Sequence, residues 1–436
     1  MKNIADYYEP TIECASRDLL SAIQSAALQR IVKLNYDNVP TMRKRLQDAG
    51  IEPGDIQSIE DIVKLPFTYK TDLRDNYPFG MFAVPPRDLV RIHASSGTTG
   101  KQTVVGYTDE DAHNWARATA RCLVAAGANA DDLIHVSYGY GLFTGGLGLH
   151  YGAELLHATA IPVSSGNTKR QVQILQDYGS DFLCCTPSYA LHIGETARDM
   201  GIDPHELKLR GGIFGAEPWS ENMRKEIEKL LDIKAFDIYG LSEIAGPGVA
   251  GECRMQQGLH VNEDLFYPEI VDPETGEPLP DGVYGELVFT CLGKTALPLI
   301  RYRTHDICKL DHTPCECGRT LVRMAKPRGR ADDMLIIRGI NVFPSQIESV
   351  LLDLGMEPNY MIVVDRKNNS DRIEVQVEVG EDIFSDKVKD LESIQRRISG
   401  ALQSTLNISA IVRLMEPKSL PRFEGKANRV IDNRVY

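Results

Sequence analysis

One run of sequence decides the fold class of this chain: Ser95-Ser96-Gly97-Thr98-Thr99-Gly100-Lys101-Gln102-Thr103. Glycines allow backbone N–H groups to turn toward an anion, and the hydroxyl side chains between them add further donors. The flanking residues 89–94 and 103–108 have the apolar, β-branched composition of strands. The sequence therefore predicts a phosphate-binding loop at the tip of a β-hairpin, although a plain polar hairpin turn stays open from this loop alone.

The same run differs from a Walker P-loop. That motif has four residues between its first glycine and the Gly-Lys pair, and then a Ser or Thr that begins a helix. Here Thr98 and Thr99 alone separate the glycines, and Gln102 follows Lys101. The spacing therefore disfavours an ADP-forming P-loop NTPase or kinase.

Length, charge and cysteine content restrict the class of protein. A chain of 436 residues predicts two or three domains at about 150 residues each. The net charge of −13 argues against a broad surface for nucleic acid or membrane. The first residues have no apolar signal-peptide core, and no run is long enough for a membrane helix. The odd set of nine cysteines predicts reduced thiols or metal ligands, and hence a cytoplasmic protein.

The hydrophobic pattern changes along the chain. Residues 10–76 are mainly helical in pattern, and from about residue 88 short apolar strands alternate with helices. That alternation predicts βαβ units and a largely parallel sheet, and hence an α/β fold. Residues 260–326 predict hairpin-rich β-structure, and the chain after about residue 333 predicts a small α+β unit.

A second motif follows a predicted parallel strand, where open α/β sheets bind ligands. It is Asp237-Ile238-Tyr239-Gly240-Leu241-Ser242-Glu243. Tyr239 can stack on a base, Gly240 permits close backbone approach, and Glu243 can hold Mg²⁺ on phosphate oxygens. The run Gly215-Ala216-Glu217-Pro218 ends the preceding strand and is expected to border the same crevice. Each run alone is also compatible with an ordinary strand-end turn.

Three further motifs lie downstream. They are Arg301-Tyr302-Arg303-Thr304-His305-Asp306, Arg328-Gly329-Arg330-Ala331-Asp332-Asp333 and Leu420-Pro421-Arg422-Phe423-Glu424-Gly425-Lys426-Ala427-Asn428-Arg429. Alone, the first is compatible with a salt-bridged strand and the others with solvated basic loops. In this order, however, the motifs resemble the adenylate-forming superfamily, and most closely its phenylacetate–CoA ligase family. The likeness runs from about residue 88 to the end and includes residues 6–9 and 65–80.

The resemblance implies an architecture and a set of small-molecule partners. It implies a large N-terminal nucleotide- and acid-binding domain (1–331) with mixed and parallel sheets and a β-rich subdomain. A small mobile α+β domain (332–436) follows, with the hinge at Asp332. It further implies ATP, Mg²⁺, coenzyme A and an aryl acid as ligands, and a homodimer, while the net charge already argued against nucleic acid and membrane as partners.

The resemblance also implies residue roles. Thr98, Thr99 and Lys101 would grip the β- and γ-phosphates, Glu243 would position Mg²⁺, and Lys426 would bridge the acyl carboxylate and the α-phosphate. The remaining cofactor-binding residues are Ser95, Ser96, Gly97, Gly100, Gly215, Ala216, Glu217, Pro218, Asp237, Tyr239, Gly240, Leu241, Ser242, Asp306 and Arg330. Among these, Glu217 and Pro218 would border the adenine, Tyr239 would stack on it, Ser242 would lie by the α-phosphate, and Asp306 would bind the ribose. The chain departs from the superfamily in having Lys101-Gln102-Thr103 where Pro-Lys-Gly is common, and Pro421 one residue closer than usual to Gly425.

An aromatic and glycine-rich run is the candidate acid pocket. Aromatic rings set among glycines fit a flat ring that enters a cleft, although simple core packing is an equal alternative. The candidate residues are Tyr138, Tyr140, Gly141, Phe143 and Gly146.

Soft ligands suggest a separate metal site. Cys315 and Cys317 form a turn-like Cys-x-Cys, with Cys253 and His260 upstream. Such a set can hold Zn²⁺ tetrahedrally, and some family members carry such a site. Cys308, His305 and His312 are competing ligands, and unligated reduced cysteines are the alternative.

These expectations combine into one function. The chain is expected to activate an aryl-acetic acid, with phenylacetate as the first choice, to an acyl-adenylate and then to pass it to coenzyme A. The products are the thioester, AMP and pyrophosphate. Another aryl or indole acid, or another acceptor, is the alternative. A catalytically silent nucleotide sensor is disfavoured because both Glu243 and Lys426 are present.

Overall fold

The structure is a computed structural model that describes residues 6–95, 102–329, 335–337, 340–367, 370–380, 388–406, 409–423 and 427–434. Several predicted site residues lie outside these ranges. They are Ser96, Gly97, Thr98, Thr99, Gly100, Lys101, Arg330, Asp332 and Lys426.

The helices agree closely with the periodic segments of the sequence, and helix 168–178 has the predicted bounds. Local capping explains several starts: at α5 the Thr108 side chain accepts from the Asp111 N–H, and the Asp111 carboxylate accepts from the Thr108 N–H. The helices are α1 (Pro10–Glu13), α2 (Arg17–Asn38), α3 (Pro40–Asp48), α4 (Lys70–Asp75), α5 (Asp109–Ala125), α6 (Gly145–Leu155), α7 (Thr168–Tyr178), α8 (Pro187–Asp199), α9 (Glu221–Leu231), α10 (Pro344–Asp353) and α11 (Val388–Leu406). Among the described helices, none is long and apolar enough to cross a membrane.

The strands divide into a first hairpin, a central sheet, a β-rich region and a C-terminal group. They are β1 (Arg91–Ser95), β2 (Thr103–Tyr107), β3 (Leu133–Val136), β4 (Thr159–Ile161), β5 (Phe182–Cys185), β6 (Gly211–Gly215), β7 (Lys234–Leu241), β8 (Gly246–Glu252), β9 (Leu259–Val261), β10 (Phe266–Val271), β11 (Gly285–Cys291), β12 (Tyr302–Cys308), β13 (Leu310–Asp311), β14 (Arg323–Met324), β15 (Leu335–Ile337), β16 (Ile340–Val342), β17 (Tyr360–Lys367), β18 (Ser370–Glu378), β19 (Ile411–Met415) and β20 (Val430–Asp432).

The central sheet brings the strand-end motifs together. Within the described ranges it has nine strands in the order β13-β14-β9-β8-β7-β6-β5-β3-β4. The run from β4 to β7 is parallel, with Gly215 of β6 opposite Ile238 of β7. Because parallel strands end at the same edge, residues 215–218 and 239–243 lie beside each other. The α/β prediction is confirmed, with an antiparallel half that begins at β8.

The predicted hairpin around the opening motif is present. Strands β1 and β2 pair antiparallel with Ser95 opposite Thr103, so the loop 96–101 connects their ends. Tyr107 of β2 stacks on the buried ring of Trp115 at 5.0 Å between centroids, which fixes the hairpin on α5.

The two predicted regions after the central sheet also exist. Strands β10, β11 and β12 form a three-stranded antiparallel sheet. The C-terminal part has the hairpin β15–β16 and a four-stranded sheet ordered β19-β18-β17-β20, on which α10 and α11 pack through their own apolar core. This separate core identifies the C-terminal part as a second, smaller α+β domain. Its boundary at Asp332 stays a prediction.

Candidate active site

A cleft of about 1000 Å³ lies at the carboxyl edge of the parallel strands. Residues of the large N-terminal part (6–329) and of the C-terminal part (335–434) both line it. From the large part come Tyr69, Lys70, Arg74, Ser95, Tyr138, Phe143, Thr144, Ala216, Glu217, Pro218, Gly240, Leu241, Ser242, Glu243 and His305, and from the C-terminal part come Glu348, Tyr360, Ala427, Asn428 and Arg429.

The carboxylate of Glu243 is the most buried acidic group on the N-terminal wall of the cleft. Its side chain is 6% exposed, and Lys70 Nζ lies 3.2 Å from Oε1. Lys70 begins α4, which also points Arg74 into the cleft one turn later. A bidentate ion pair from Arg45 to Asp72 anchors this helix. The structure thus adds two cations to the predicted site.

A second lysine lies behind Glu243. Lys294 is fully buried, with Nζ 3.5 Å from the Glu243 carbonyl oxygen and 4.3 Å from the centroid of the Tyr107 ring. Burial lowers the pKa of Lys294, and the nearby Asp111 and Glu243 carboxylates partly oppose that effect. No sequence motif singled out this residue, because its neighbours come from β2, α5 and the turn after β7.

Polar side chains next to Glu243 are held by partners. The Ser242 hydroxyl lies 3.2 Å from the Thr144 hydroxyl. The Tyr239 hydroxyl donates to Asp306 Oδ2, and burial together with that carboxylate raises the pKa of Tyr239 well above its ordinary value. The structure thus joins Tyr239 and Asp306, for which the resemblance implied contacts with the adenine and with the ribose, respectively.

Gly240 has a packing reason to be glycine. A Cβ there would lie 1.7 Å from the carbonyl oxygen of Gly246, at the irregular step between β7 and β8. Gly215 is similar, since a Cβ would lie 2.1 Å from the Ile238 oxygen. The close backbone approach that the sequence predicted at Gly240 is made to the neighbouring strand β8.

Asp237 lies to one side of the residues that line the cleft. Its carboxylate is 3.9 Å from Lys326 Nζ, and its N–H donates to Glu252. Burial raises the pKa of Asp237 to about 6, against the opposing charge of Lys326.

The predicted acid pocket is divided by the structure. Tyr138 and Phe143 line the cleft, and among the described residues no group hydrogen-bonds the buried Tyr138 hydroxyl. Tyr140 instead points its hydroxyl to His150 Nδ1 at 3.3 Å. A Cβ on Gly146 would lie 2.8 Å from the Gly139 oxygen, and Gly141 has a φ of +117°. The glycines thus shape the loop, and the two aromatic rings face the cleft.

The four candidate metal ligands converge outside the cleft. The ligand atoms of Cys253, His260, Cys315 and Cys317 all lie within 4.8 Å of one another. The Cys253 and Cys315 sulfurs are 3.8 Å apart, and Cys317 Sγ lies 3.4 Å from His260 Nε2. Tetrahedral zinc with Zn–S bonds of about 2.3 Å requires about 3.8 Å between sulfurs and about 3.6 Å between sulfur and nitrogen.

The surroundings of this cluster also suit zinc. His260 Nδ1 lies 3.2 Å from the Leu321 oxygen, which leaves Nε2 for a metal. A hydrogen bond from the Cys253 thiol lowers the pKa of Cys317 well below its ordinary value. The competing ligands have other neighbours: Cys308 donates to backbone carbonyls, His312 pairs with Asp281, and His305 lies 3.5 Å from Glu286.

Sequence comparison places this geometry in a family. The sequence model described as AMP-binding enzyme matches residues 22–292, and that described as AMP-binding enzyme C-terminal domain matches residues 339–434. A phenylacetate-coenzyme A ligase of Thermus thermophilus is 49% identical over 98% of this chain and 99% of its own length. That of Escherichia coli is 51% identical over 97% of each chain.

The chain belongs to the phenylacetate–CoA ligase family. The structure of this family member is also similar to solved structures of 2-hydroxyisobutyryl-CoA ligase. One in the postadenylation state with 2-HIB-AMP has a TM-score of 0.94 at 29% identity, covering 100% of this chain and 94% of that one. One in the thioesterification state, with 2-HIB-AMP and CoA, has a TM-score of 0.73 at 30% identity and the same coverage. The two parts of this ligase-family chain therefore sit as in the postadenylation arrangement.

Proposed function

We propose that this chain is an AMP-forming ligase that converts phenylacetate to phenylacetyl-CoA through an acyl-adenylate. The observation that carries the proposal is the pairing of buried Glu243 with Lys70 in a cleft bounded by both parts of the chain. The family membership and the postadenylation-like arrangement support it.

The chemistry explains why the cleft collects cations. A carboxylate that attacks the α-phosphate of ATP is an anion approaching an anion, so positive groups must offset the repulsion. Lys70 and Arg74 supply such groups from α4, and we assign Lys426 and Arg330 to the same task. Pyrophosphate then leaves toward the hydroxyl-rich loop 95–101.

Glu243 fits a magnesium ligand. A single buried carboxylate that lines a cleft is the kind of ligand with which Mg²⁺ binds together with substrate phosphates. Bound Mg²⁺ would neutralise phosphate charge. Lys70 pairs with the Glu243 carboxylate and lines the same cleft, so its charge is available to a bound phosphate.

We also propose that Cys253, His260, Cys315 and Cys317 hold one structural zinc ion. The sulfur and nitrogen separations and the hydrogen bond of His260 to Leu321 support this assignment. Four protein ligands leave no open position, so the role is to join the segments that carry them. The homodimer, the cytoplasmic location and the hinge at Asp332 stay predictions.

A panel of carboxylic acids tests the proposed substrate. Tyr138 and Phe143 present aromatic surface to the cleft, so we expect phenylacetate to support the fastest acid-dependent ATP–pyrophosphate exchange. Benzoate, indoleacetate and straight-chain acids are the comparisons. Addition of coenzyme A should yield a thioester with one AMP and one pyrophosphate. ADP as product would overturn the proposed reaction, and a faster acid would replace the proposed substrate.

Lys70→Met tests the contribution of α4. The change removes the positive charge from Glu243 and from the phosphates, so we expect adenylation to fall by about 10- to 100-fold. Lys70→Arg should recover part of the rate. Lys64→Met is the matched control, since Lys64 is exposed and pairs with Asp61 nearby. A loss at Lys70 no greater than at Lys64 would remove Lys70 from the mechanism.

A further inference from the structure

Two carboxylates, one on each part of the chain, accept hydrogen bonds from the other part. Glu217 of the large part accepts a backbone N–H of the C-terminal part, and Glu348 of the C-terminal part accepts a backbone N–H of the large part. We call Glu217 and Glu348, with these two N–H donors, the carboxylate clasp. Both side chains line the cleft.

The first half of the clasp fixes the chain next to Lys426. Glu217 Oε1 accepts the Ser188 N–H at 2.8 Å, which orients the carboxylate on the large part. Its other oxygen, Oε2, accepts the Ala427 N–H at 2.8 Å. Ala427 follows Lys426 directly in the sequence. The sequence resemblance placed Glu217 beside an adenine, whereas its carboxylate oxygens each hold a backbone group.

The second half of the clasp is buried. Glu348 is 2% exposed, and Oε1 accepts the N–H of Ser220, the residue that caps α9. Oε2 accepts the Tyr360 hydroxyl at 3.2 Å. A helix N-terminus favours a carboxylate, and a buried carboxylate is costly to leave without donors. Each half therefore favours one relative position of the two parts.

We infer that the carboxylate clasp positions the Lys426 segment for adenylation and separates before thioesterification. The inference rests on the proposed function. The clasp joins groups that meet only when the two parts sit as observed. That arrangement matches the postadenylation state of 2-hydroxyisobutyryl-CoA ligase, with a TM-score of 0.94. The TM-score is 0.73 against the thioesterification state of the same ligase. Glu217 and Glu348 are thus positioning residues, which act through the backbone rather than on the substrate.

Half-reactions measured separately test the inference. The variants are Glu217→Gln and Glu348→Gln, in the full-length chain. Adenylation is followed by phenylacetate-dependent ATP–pyrophosphate exchange, and thioesterification by CoA consumption from supplied phenylacetyl-adenylate. We expect each variant to lose about tenfold or more in the exchange rate, the effect of a lost hydrogen bond to a charged group. The ratio of adenylation to thioesterification should fall by a similar factor, with the KM for ATP unchanged.

Asp199→Asn is the matched control. Asp199 pairs with Lys418 across the same boundary, but both side chains are exposed, so the pair contributes little. We expect the control to keep the wild-type ratio of the two half-reactions. Equal loss of both half-reactions in the Gln variants, or the same loss in the control, would overturn the clasp. A raised KM for ATP in Glu217→Gln alone would contradict the clasp and would indicate that Glu217 binds the adenine. Wild-type protein without exchange would instead overturn the proposed function.

Discussion

Lys426→Ala should abolish the first half-reaction and leave the second largely intact. We expect acid-dependent ATP–pyrophosphate exchange to fall by about 10²- to 10³-fold, because the lysine would offset charge that develops as the acyl carboxylate meets the α-phosphate. Thioester formation from supplied phenylacetyl-adenylate and CoA should stay within about twofold of wild type, because that step forms no new contact between two anions. The two assays on the same preparation give the result directly.

Lys418→Ala is the control for Lys426→Ala. It removes a lysine from the same part of the chain, where its partner is the exposed Asp199. Both half-reactions should proceed at the wild-type rate in the control. If Lys426→Ala reduces both half-reactions by the same factor, the lysine serves the whole fold or both steps, and a swing of the C-terminal part between two arrangements loses its main support.

The elements of the fold were accessible from local patterns. Helix 168–178 and strand 182–185 have the predicted bounds because the signals that set them are local. The apolar periodicity lies within each element, a glycine follows Tyr178 at the helix end, and a proline follows Thr186 just after the strand. The convergence of Glu217 with Glu243 was also accessible, since parallel strands end at one edge. These predictions needed only the order of the strands.

The rest of the site depends on contacts between distant segments. Lys70 reaches Glu243 from a helix more than a hundred residues earlier, although residues 65–80 had already carried a family likeness that could have drawn attention to it. Lys294 is placed beside Glu243 by its burial among distant segments, which no short motif records. The Tyr140 hydroxyl lies by His150, and the aromatic and glycine-rich run did not indicate which of its rings faces the cleft.

Loss of zinc should be the largest effect on stability. The four proposed ligands join the turn at Cys315 to the segment from Cys253 to His260, and the N-terminal segment packs on that turn. The Tyr7 hydroxyl donates to the Cys317 oxygen, and Arg319 pairs with Glu13 at 2.7 Å. Zinc binds structural sites with roughly 10–16 kcal/mol in small zinc peptides, but this chain has large apolar cores of its own. We therefore expect Cys315→Ser to lower the free energy of unfolding by at least roughly 3 kcal/mol, at or above the upper end of the usual range for one substitution.

Elemental analysis and thermal unfolding together decide the zinc assignment. Wild-type protein prepared without chelator should contain one zinc per chain, and Cys315→Ser close to none, with a lower melting temperature. Cys308→Ser is the matched control, because Cys308 is buried but donates to the Lys309 and Ala325 carbonyls, as a serine hydroxyl also can. It should keep its zinc. Absence of stoichiometric zinc from the wild-type protein would contradict the metal assignment, and the cluster would then be a set of packed thiols. The stability of this region would in that case come from the Arg319–Glu13 pair and the neighbouring core.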